Sequence, residues 1–394
     1  MSIKFLKKAA AILALCMMLG TMSGCNGEGN TSGETGETTT TGETSTAEVE
    51  DPMKIGYIFN DDIDEYGSSA DINAQRLKAL KHCAIESVYI DDVNITDFSE
   101  AVRVLAEAGC SHIITTSPVY TNAISKIAEK YMNINFIGYG CRIPTINISA
   151  YTEHPYEGTY VAGMAAAFNS DAEKIGIVVD TSLLYPTAAI NSVALGSQLV
   201  NKDVKTYPAL AANDSEIHKA VDYLISSGCD VIISYTESAE TTAYCEALGV
   251  KHIGNLDYTA SKADYKNMLM YFYGSRDSYF LSQFKQIKLD TWKTDAYVGS
   301  MSNGVISVSE ALPAAKDGTQ DIVSSLAIKI KSGYCPIFVG QLKNNDGNVM
   351  LMADHVMTVE EIYNMTWLVE GVQDIETFVV PITELEPNDF EIKQ

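Results

Sequence analysis

Basic residues are scarce in this sequence: 27 Lys and Arg stand against 51 Asp and Glu, a formal net charge of −24 over 394 residues. Such a surface repels phosphate backbones, which excludes nucleic acid as a partner. Long apolar runs are scarce too. AAAILALCMML, residues 9–19, falls short of the roughly 20 residues that a hydrocarbon core requires. The six histidines form no cluster, and no CxxC or Cys/His pair has zinc spacing. GxSxG, HExxH and P-loop motifs are missing, so nothing in the sequence supports an enzyme. NNDGN at 344–348 lacks the spaced acids and closing Glu of a calcium loop. Its Asp346-Gly347 pair reads as a hairpin turn. No cofactor or metal is expected.

What is present begins at the N-terminus. Lys4, Lys7 and Lys8 precede the short apolar run, and the small residues Ser23 and Gly24 close it, directly before Cys25. A basic start, a short apolar stretch and small residues make a secretory signal. GTMSGC, residues 20–25, resembles a bacterial lipobox, in which the chain is cut before the cysteine and the thiol carries lipid. Residues 1–24 are thus expected to be a signal peptide and Cys25 a lipidation site. Residues 26–52, rich in Gly, Thr, Ser and Glu, hold too few apolar side chains to repay ordering and read as an acidic tether. One acyl chain binds a membrane weakly, so two or more are expected. The folded body, from Met53, is expected on the extracytoplasmic face of the bacterial cell membrane.

Residues 53–394 are too many for one ordinary core and suit two lobes. Along them, short apolar runs alternate with helical patterns: MKIGYIF, then DINAQRLKALKHC, then IESVYI, then DFSEAVRVLAEAG, then SHIITTS. That rhythm implies parallel sheets with helical crossovers. It restarts after residue 156, and FSEAVRVLAEAGCSHIITTS matches EIHKAVDYLISSGCDVIISYT in pattern: amphipathic helix, Gly cap, Cys, buried strand. Cys110 and Cys229 read there as buried apolar residues. The same buried-thiol reading extends to Cys83, Cys141, Cys245 and Cys335. Open α/β sheets bind ligands at the carboxyl ends of their strands. Polar strand-end residues are therefore site candidates: Asn60, Asp61 and Asp62; Thr115, Thr116 and Ser117; Tyr235, Thr236 and Glu237; and Asp257.

Several stretches are spread over nearly the whole chain beyond the tether: YEGTYVAGMAAAFNSDAEKIGIVVD (156–180), HIITTSPVY (112–120), GCDVIISYTES (228–238), HIGNLD (252–257), DTWKTDAYVGSMSNGVISVS (290–309) and IKSGYCPIFVGQLKNNDGNV (330–349). Together they resemble the basic membrane protein (BMP) family of ABC-transporter substrate-binding lipoproteins, which includes purine-nucleoside receptors. The resemblance implies an α/β, two-lobed fold of the periplasmic-binding-protein type I class. Each lobe would be a parallel sheet flanked by helices, with the ligand cleft between lobes. The expected lobes are about 53–150 with 270–292, and about 157–257 with 296–370.

The resemblance also implies a role. A small polar ligand, a purine nucleoside first and a sugar-like molecule second, would be captured in a hinged cleft and passed to an ABC permease. The alternative is a sensing lipoprotein that signals to a membrane receptor without transport. In nucleoside-binding members aromatics sandwich the base and carboxylates take the ribose hydroxyls. The first loop departs from the family's Asp-x-x-Phe-Asn pattern; Tyr66 is its nearest aromatic, with Asn73 or Ser68 as polar partner. Glu237 stands where the family often has Asp, and Asp257 matches an Asp of a later strand. Asp61, Ser117 and Asp257 each have a helix-capping reading beside the ligand reading. Of Tyr271 and Tyr273, at most one is expected to face the cleft. Trp292 and Trp367 read as packing residues, Trp367 at helical spacing with Ile362 and Tyr363.

Overall fold

The computed structural model describes residues 53–379; the proposed signal, Cys25 and the tether lie outside the described residues. The first sheet is built from β1 (Lys54–Ile58), β2 (Glu86–Ile90), β3 (Cys110–Thr115), β4 (Asn135–Tyr139) and β5 (Ile148–Glu153). Helices α1 (Ser68–Leu80), α2 (Phe98–Glu107) and α3 (Thr121–Ala128) connect the first four strands. The second lobe runs α4 (Tyr156–Asn169), β6 (Lys174–Val179), α5 (Pro186–Gln198), β7 (Lys205–Leu210), α6 (Asp214–Ser226) and β8 (Val231–Tyr235). It continues through α7 (Glu240–Ala247), β9 (Lys251–Gly254), α8 (Asp257–Lys262) and β10 (Met268–Gly274).

The chain then returns to the first lobe through α9 (Asp277–Lys288) and β11 (Ala296–Gly299). It crosses back at β12 (Ile306–Val308) and α10 (Thr319–Lys331). Strand orders are β2-β1-β3-β4-β5-β11 and β7-β6-β8-β9-β10-β12, the second extended beyond β7 by β15 (Glu376–Thr377). One order is used twice, as the repeated rhythm implied. All pairings in both sheets are parallel except β10 with β12.

Two lobe limits differ from the sequence reading. Residues 270–274 belong to β10 of the second sheet rather than the first lobe, and 296–299 form β11 of the first sheet rather than the second. Strand β5 was not legible either. Its pattern ISAYTE is fully buried yet half polar, because Ser149 Oγ donates to Asp295 Oδ1 at 2.9 Å and Glu153 pairs with Arg276. Helix α1 starts three residues before the expected DINAQR. Trp367 lies beyond the short helix α11 (Val359–Tyr363), not within it, though it does pack on the second-lobe core. Trp292 is structural as read: Nε1 donates to Gln283 Oε1 at 2.8 Å. The 344–348 segment is a hairpin turn, with Gly347 at φ 79°, between β13 (Leu342–Lys343) and β14 (Val349–Leu351). Cys83, Cys141, Cys229 and Cys245 are buried thiols, Cys335 is a half-buried one, and Cys110 is buried as well.

Each sheet carries an apolar core on both faces, as parallel sheets require. In the second lobe, α4 and α5 pack almost backbone to backbone. A Cβ on Gly196 would stand 2.0 Å from the Tyr160 carbonyl oxygen, and one on Gly163 2.2 Å from that of Val193.

Three crossovers join the lobes: 153–156, 274–277 and 299–306. They meet at a buried ion pair. Arg276 Nη2 donates to Glu153 Oε2 at 2.7 Å, and Nε stands 2.6 Å from Oε1. Asp71 of α1 lies 3.9 Å from Arg276 Nη1, and Gln75 Oε1 accepts the Arg276 amide at 2.5 Å. His154 N donates to Gly299 O at 2.8 Å, which brings the third crossover against the first. No helix of the described residues is long and apolar enough to cross a membrane.

Candidate functional site

In both sheets the chain leaves the central strand in opposite directions. The split falls between β1 and β3 in one lobe and between β6 and β8 in the other. Loops at such a switch point diverge and leave a crevice at the carboxyl ends of the strands. The two crevices face each other. Between them lies a cavity of about 750 Å³, within the range of small-molecule sites.

The first lobe contributes Asp61, Asp62, Glu65, Tyr66 and Ser69. The second contributes Asp180 after β6, Asn213 and Asp214 after β7, Thr236 and Glu237 after β8, and Glu240 and Tyr265. Seven lining residues are acidic and none is basic. A smaller cavity of about 70 Å³ lies toward the crossovers, walled by Glu153, Leu183, Leu184, Tyr235, Glu237, Tyr273 and Arg276 among others. Glu237 borders both.

Glu237 is also one of the points at which the lobes touch. Its Oε2 accepts from Asn60 Nδ2 at 2.9 Å and its Oε1 from Ser117 Oγ at 3.4 Å. Its carbonyl accepts the Ser68 amide at 2.9 Å. Burial, and then the negative charges of Asp61 and Asp180, push the Glu237 carboxyl up to about 8, against the hydrogen bonds from Asn60 and Ser117. Asp61 is open to the cavity, yet the surrounding protein and the charges of Asp92, Asp180 and Glu65 raise it to about 6. Burial raises Asp180 as well, opposed by hydrogen bonds from Ser182; the Ser182 amide and hydroxyl donate to Asp180 Oδ1 at 2.8 and 2.7 Å. Asp61 and Asp180 as carboxylates are strong acceptors for hydroxyl and amine donors, while a protonated Glu237 both donates and accepts. Tyr66, 59% exposed, and half-buried Tyr265 offer aromatic faces at the cavity wall.

The sequence candidates divide. Asp61, Tyr66 and Glu237 line the large cavity. Ser117 lines neither cavity; it touches Glu237 and caps the 3₁₀ turn Pro118–Tyr120, accepting the Val119 amide at 3.4 Å, which is its capping reading. Thr116 is turned away: it is buried and its Oγ1 donates to Ile58 O at 3.0 Å. Asn73 sits within α1 and accepts from Arg76 Nε at 2.9 Å, clear of the cavity.

Asp257 opens α8 and hydrogen-bonds the Tyr271 hydroxyl; neither side chain lines either cavity. Tyr271 and Tyr273 share one side of β10, ring centroids 5.7 Å apart, because residues two apart in a strand point the same way. Reasoning from sequence missed Asp180, though it carries the same signal as Asp61: an acid directly after an apolar strand. It also missed Tyr265, which no local pattern marks. Among the described residues no group of three or more His, Cys, Asp or Glu side chains is placed to hold a metal ion.

Comparison with known proteins fits this geometry. The model of the Bmp family, described as ABC transporter substrate-binding protein PnrA-like, matches residues 53–281, more than half of the chain. A purine-binding protein of Brucella abortus is 25% identical over 334 residues, covering 83% of this chain and 95% of its own. A putative ABC transporter glucose-binding protein of Haloferax volcanii is 24% identical over 287 residues, covering 71% and 72%. In fold, the chain resembles an ABC transporter solute-binding protein from Conexibacter woesei, with a TM-score of 0.59 at 17% identity over 72% of this chain and 97% of that one.

Proposed function

The chain belongs to the Bmp family of PnrA-like ABC transporter substrate-binding proteins, and we propose that it captures a purine nucleoside between its lobes and hands it to a permease. The observation that carries this reading is the cavity of about 750 Å³, walled by carboxylates from both lobes and by two tyrosines. Paired carboxylates accept vicinal hydroxyls, and a tyrosine face supplies apolar area for a flat base. The absence of a basic lining residue among those described disfavours phosphorylated ligands. The relative named as purine-binding supports the purine assignment, and the glucose-binding relative marks the hexose that must be tested beside it.

Closure is a hinge motion about the three crossovers, with the buried Arg276–Glu153 pair as its pivot. Lipid on Cys25 and the tether over 26–52 would hold the domain at the outer face of the cell membrane within reach of the permease. A binding protein of this kind needs no catalytic group.

The test is a thermal-shift screen of residues 53–394 with adenosine, guanosine, inosine, cytidine, free bases, ribose and glucose. A rise of several degrees with purine nucleosides alone is expected, because a ligand bound only by the native state stabilises it. A rise with glucose alone, or no rise with any nucleoside, rejects the nucleoside assignment. Metabolic labelling with palmitate tests the anchor: incorporation that survives Cys25→Ser rejects it.

A further inference from the structure

We propose that Arg142, outside both cavities, is a positioning residue that latches the two lobes together. Arg142 lies in the first lobe, in the loop that follows β4. Its Nη1 stands 2.5 Å from Glu360 Oε2, and its guanidinium lies over the Tyr363 ring, 3.5 Å from the centroid. Glu360 and Tyr363 both belong to α11, whose Ile362 is part of the second-lobe core. One side chain of one lobe therefore makes two contacts to a single helix of the other. A planar guanidinium suits this double duty, charge at its edge and stacking on its face, where an ammonium does not.

The latch continues inward. Tyr363 stands edge-on to Tyr185, centroids 5.8 Å apart, and Tyr185 stands edge-on to Tyr156 at 5.6 Å, just past the first crossover. Tyr185 has a left-handed backbone, φ 55°, a conformation that a bulky residue keeps only when its surroundings hold it. Directly before it, Leu183 and Leu184 wall the small cavity beside Glu237, and Tyr235, which also walls it, donates its hydroxyl to Leu184 O. Two ring contacts and the backbone of 183–185 thus join the Arg142 contact to the wall of the small cavity. Opening that parts the loop after β4 from α11 must break the Arg142 contacts. The free energy they contribute is then added to closure and so to the affinity of any ligand that binds the closed form.

This inference rests on the hinged-binding reading, but its test needs no ligand. The Ser68 amide is bonded to Glu237 O across the cleft at 2.9 Å, on elements other than those of the latch, and it reports closure. Hydrogen exchange of the peptide carrying that amide is measured in the full mature chain, parent against Arg142→Ala, Arg142→Lys and Glu360→Gln. With one exposed ion pair and one cation–π contact removed, exchange is expected to quicken about threefold to tenfold in Arg142→Ala. A smaller change is expected in Arg142→Lys and Glu360→Gln, with core amides of β3 and β8 unchanged. High salt should quicken the parent and leave Arg142→Ala as it is.

Guanosine affinity should fall by less than that factor if the nucleoside reading holds, since a cleft already closed in the free protein has little closure left to lose; if guanosine fails to bind, the exchange result still decides the latch. Unchanged exchange at Ser68 in Arg142→Ala and in Glu360→Gln overturns it. So does an acceleration spread equally over the core amides, which would mark general loosening.

Discussion

Asn60 and Glu237 face each other across the cleft, with Asn60 Nδ2 2.9 Å from Glu237 Oε2, and the same nitrogen stands 2.7 Å from Asp61 Oδ2. One amide group therefore donates to two carboxylates that come from different lobes. Two acids are brought together in a cavity with no basic lining residue, and burial first, with the crowding of like charges second, raises their affinity for protons. A ligand with hydroxyl or amine donors would relieve the same crowding.

The first prediction is a pH dependence of stability. Glu237 is raised from its ordinary value to about 8 in the fold, so the native state favours its protonated form. The stabilisation it gives is complete below the ordinary carboxylate range and is lost as pH rises through about 8. Asp61, raised to about 6, loses its share in the lower part of that window. Glu237→Gln, which cannot ionise, should melt with the parent at pH 4 and a few degrees above it at pH 8. A variant that melts below the parent at pH 8 would refute the assignment.

Ligand contacts should follow the cavity lining. Asp180→Ala is expected to weaken guanosine binding about tenfold to a hundredfold, the worth of one hydrogen bond to a charged group, and Glu237→Ala, whose carboxyl is protonated below about pH 8, about tenfold, the worth of one between neutral groups. Asp257→Ala should stay within about threefold, since its partner is Tyr271 and it lies outside the lining. Calorimetric titration of the three variants decides. The opposite ranking would move the ligand to the side of the cleft where Asp257 and Tyr271 meet.

The hinge pair should be costly to break. Arg276→Ala leaves Glu153, 2% exposed, buried without its cation. A loss of about 3–5 kcal/mol is expected, the usual range for stripping one partner from a buried pair. Urea denaturation measures it. A loss under about 1 kcal/mol would mean that water or a neighbour replaces the guanidinium.

Close helix packing gives a fourth expectation. A methyl on Gly196 meets the Tyr160 carbonyl oxygen at 2.0 Å, and backbone cannot swing aside as a side-chain tip does. Gly196→Ala should cost about 1–3 kcal/mol through forced separation of α4 and α5. Gly304→Ala is the control, because nothing lies within 4 Å of its Cβ position; it pays for the positive φ of 82°, a cost of about 1–2 kcal/mol. Equal melting temperatures for Gly196→Ala and the parent would show that the helices are not held as described.

Much of the fold was legible because it is written locally. Apolar runs such as KIGIVV mark buried strands, amphipathic runs such as FSEAVRVLAE mark surface helices, and their alternation fixes parallel sheets. Asp61 and Glu237 were legible for the same reason: a polar residue that ends a buried strand must lie at the sheet's carboxyl edge. The half-polar strand β5 escaped, since its Ser149 and Glu153 are buried only by virtue of Asp295 and Arg276, each more than a hundred residues away in the chain.

By itself, then, the amino-acid order determined the repeat of one α/β architecture, the acidic net charge and the strand ends from which a site would be made. Tertiary structure decided which strand ends meet. It set Asp180 beside Glu237 across the second-lobe switch point, and it turned Thr116 into the core. It left Asp257 to Tyr271 and drew Arg142 onto a helix more than two hundred residues later. Periodicity and turn chemistry act over a few residues. The choice of facing partners depends on how two lobes, joined by three strands of chain, come to rest against each other.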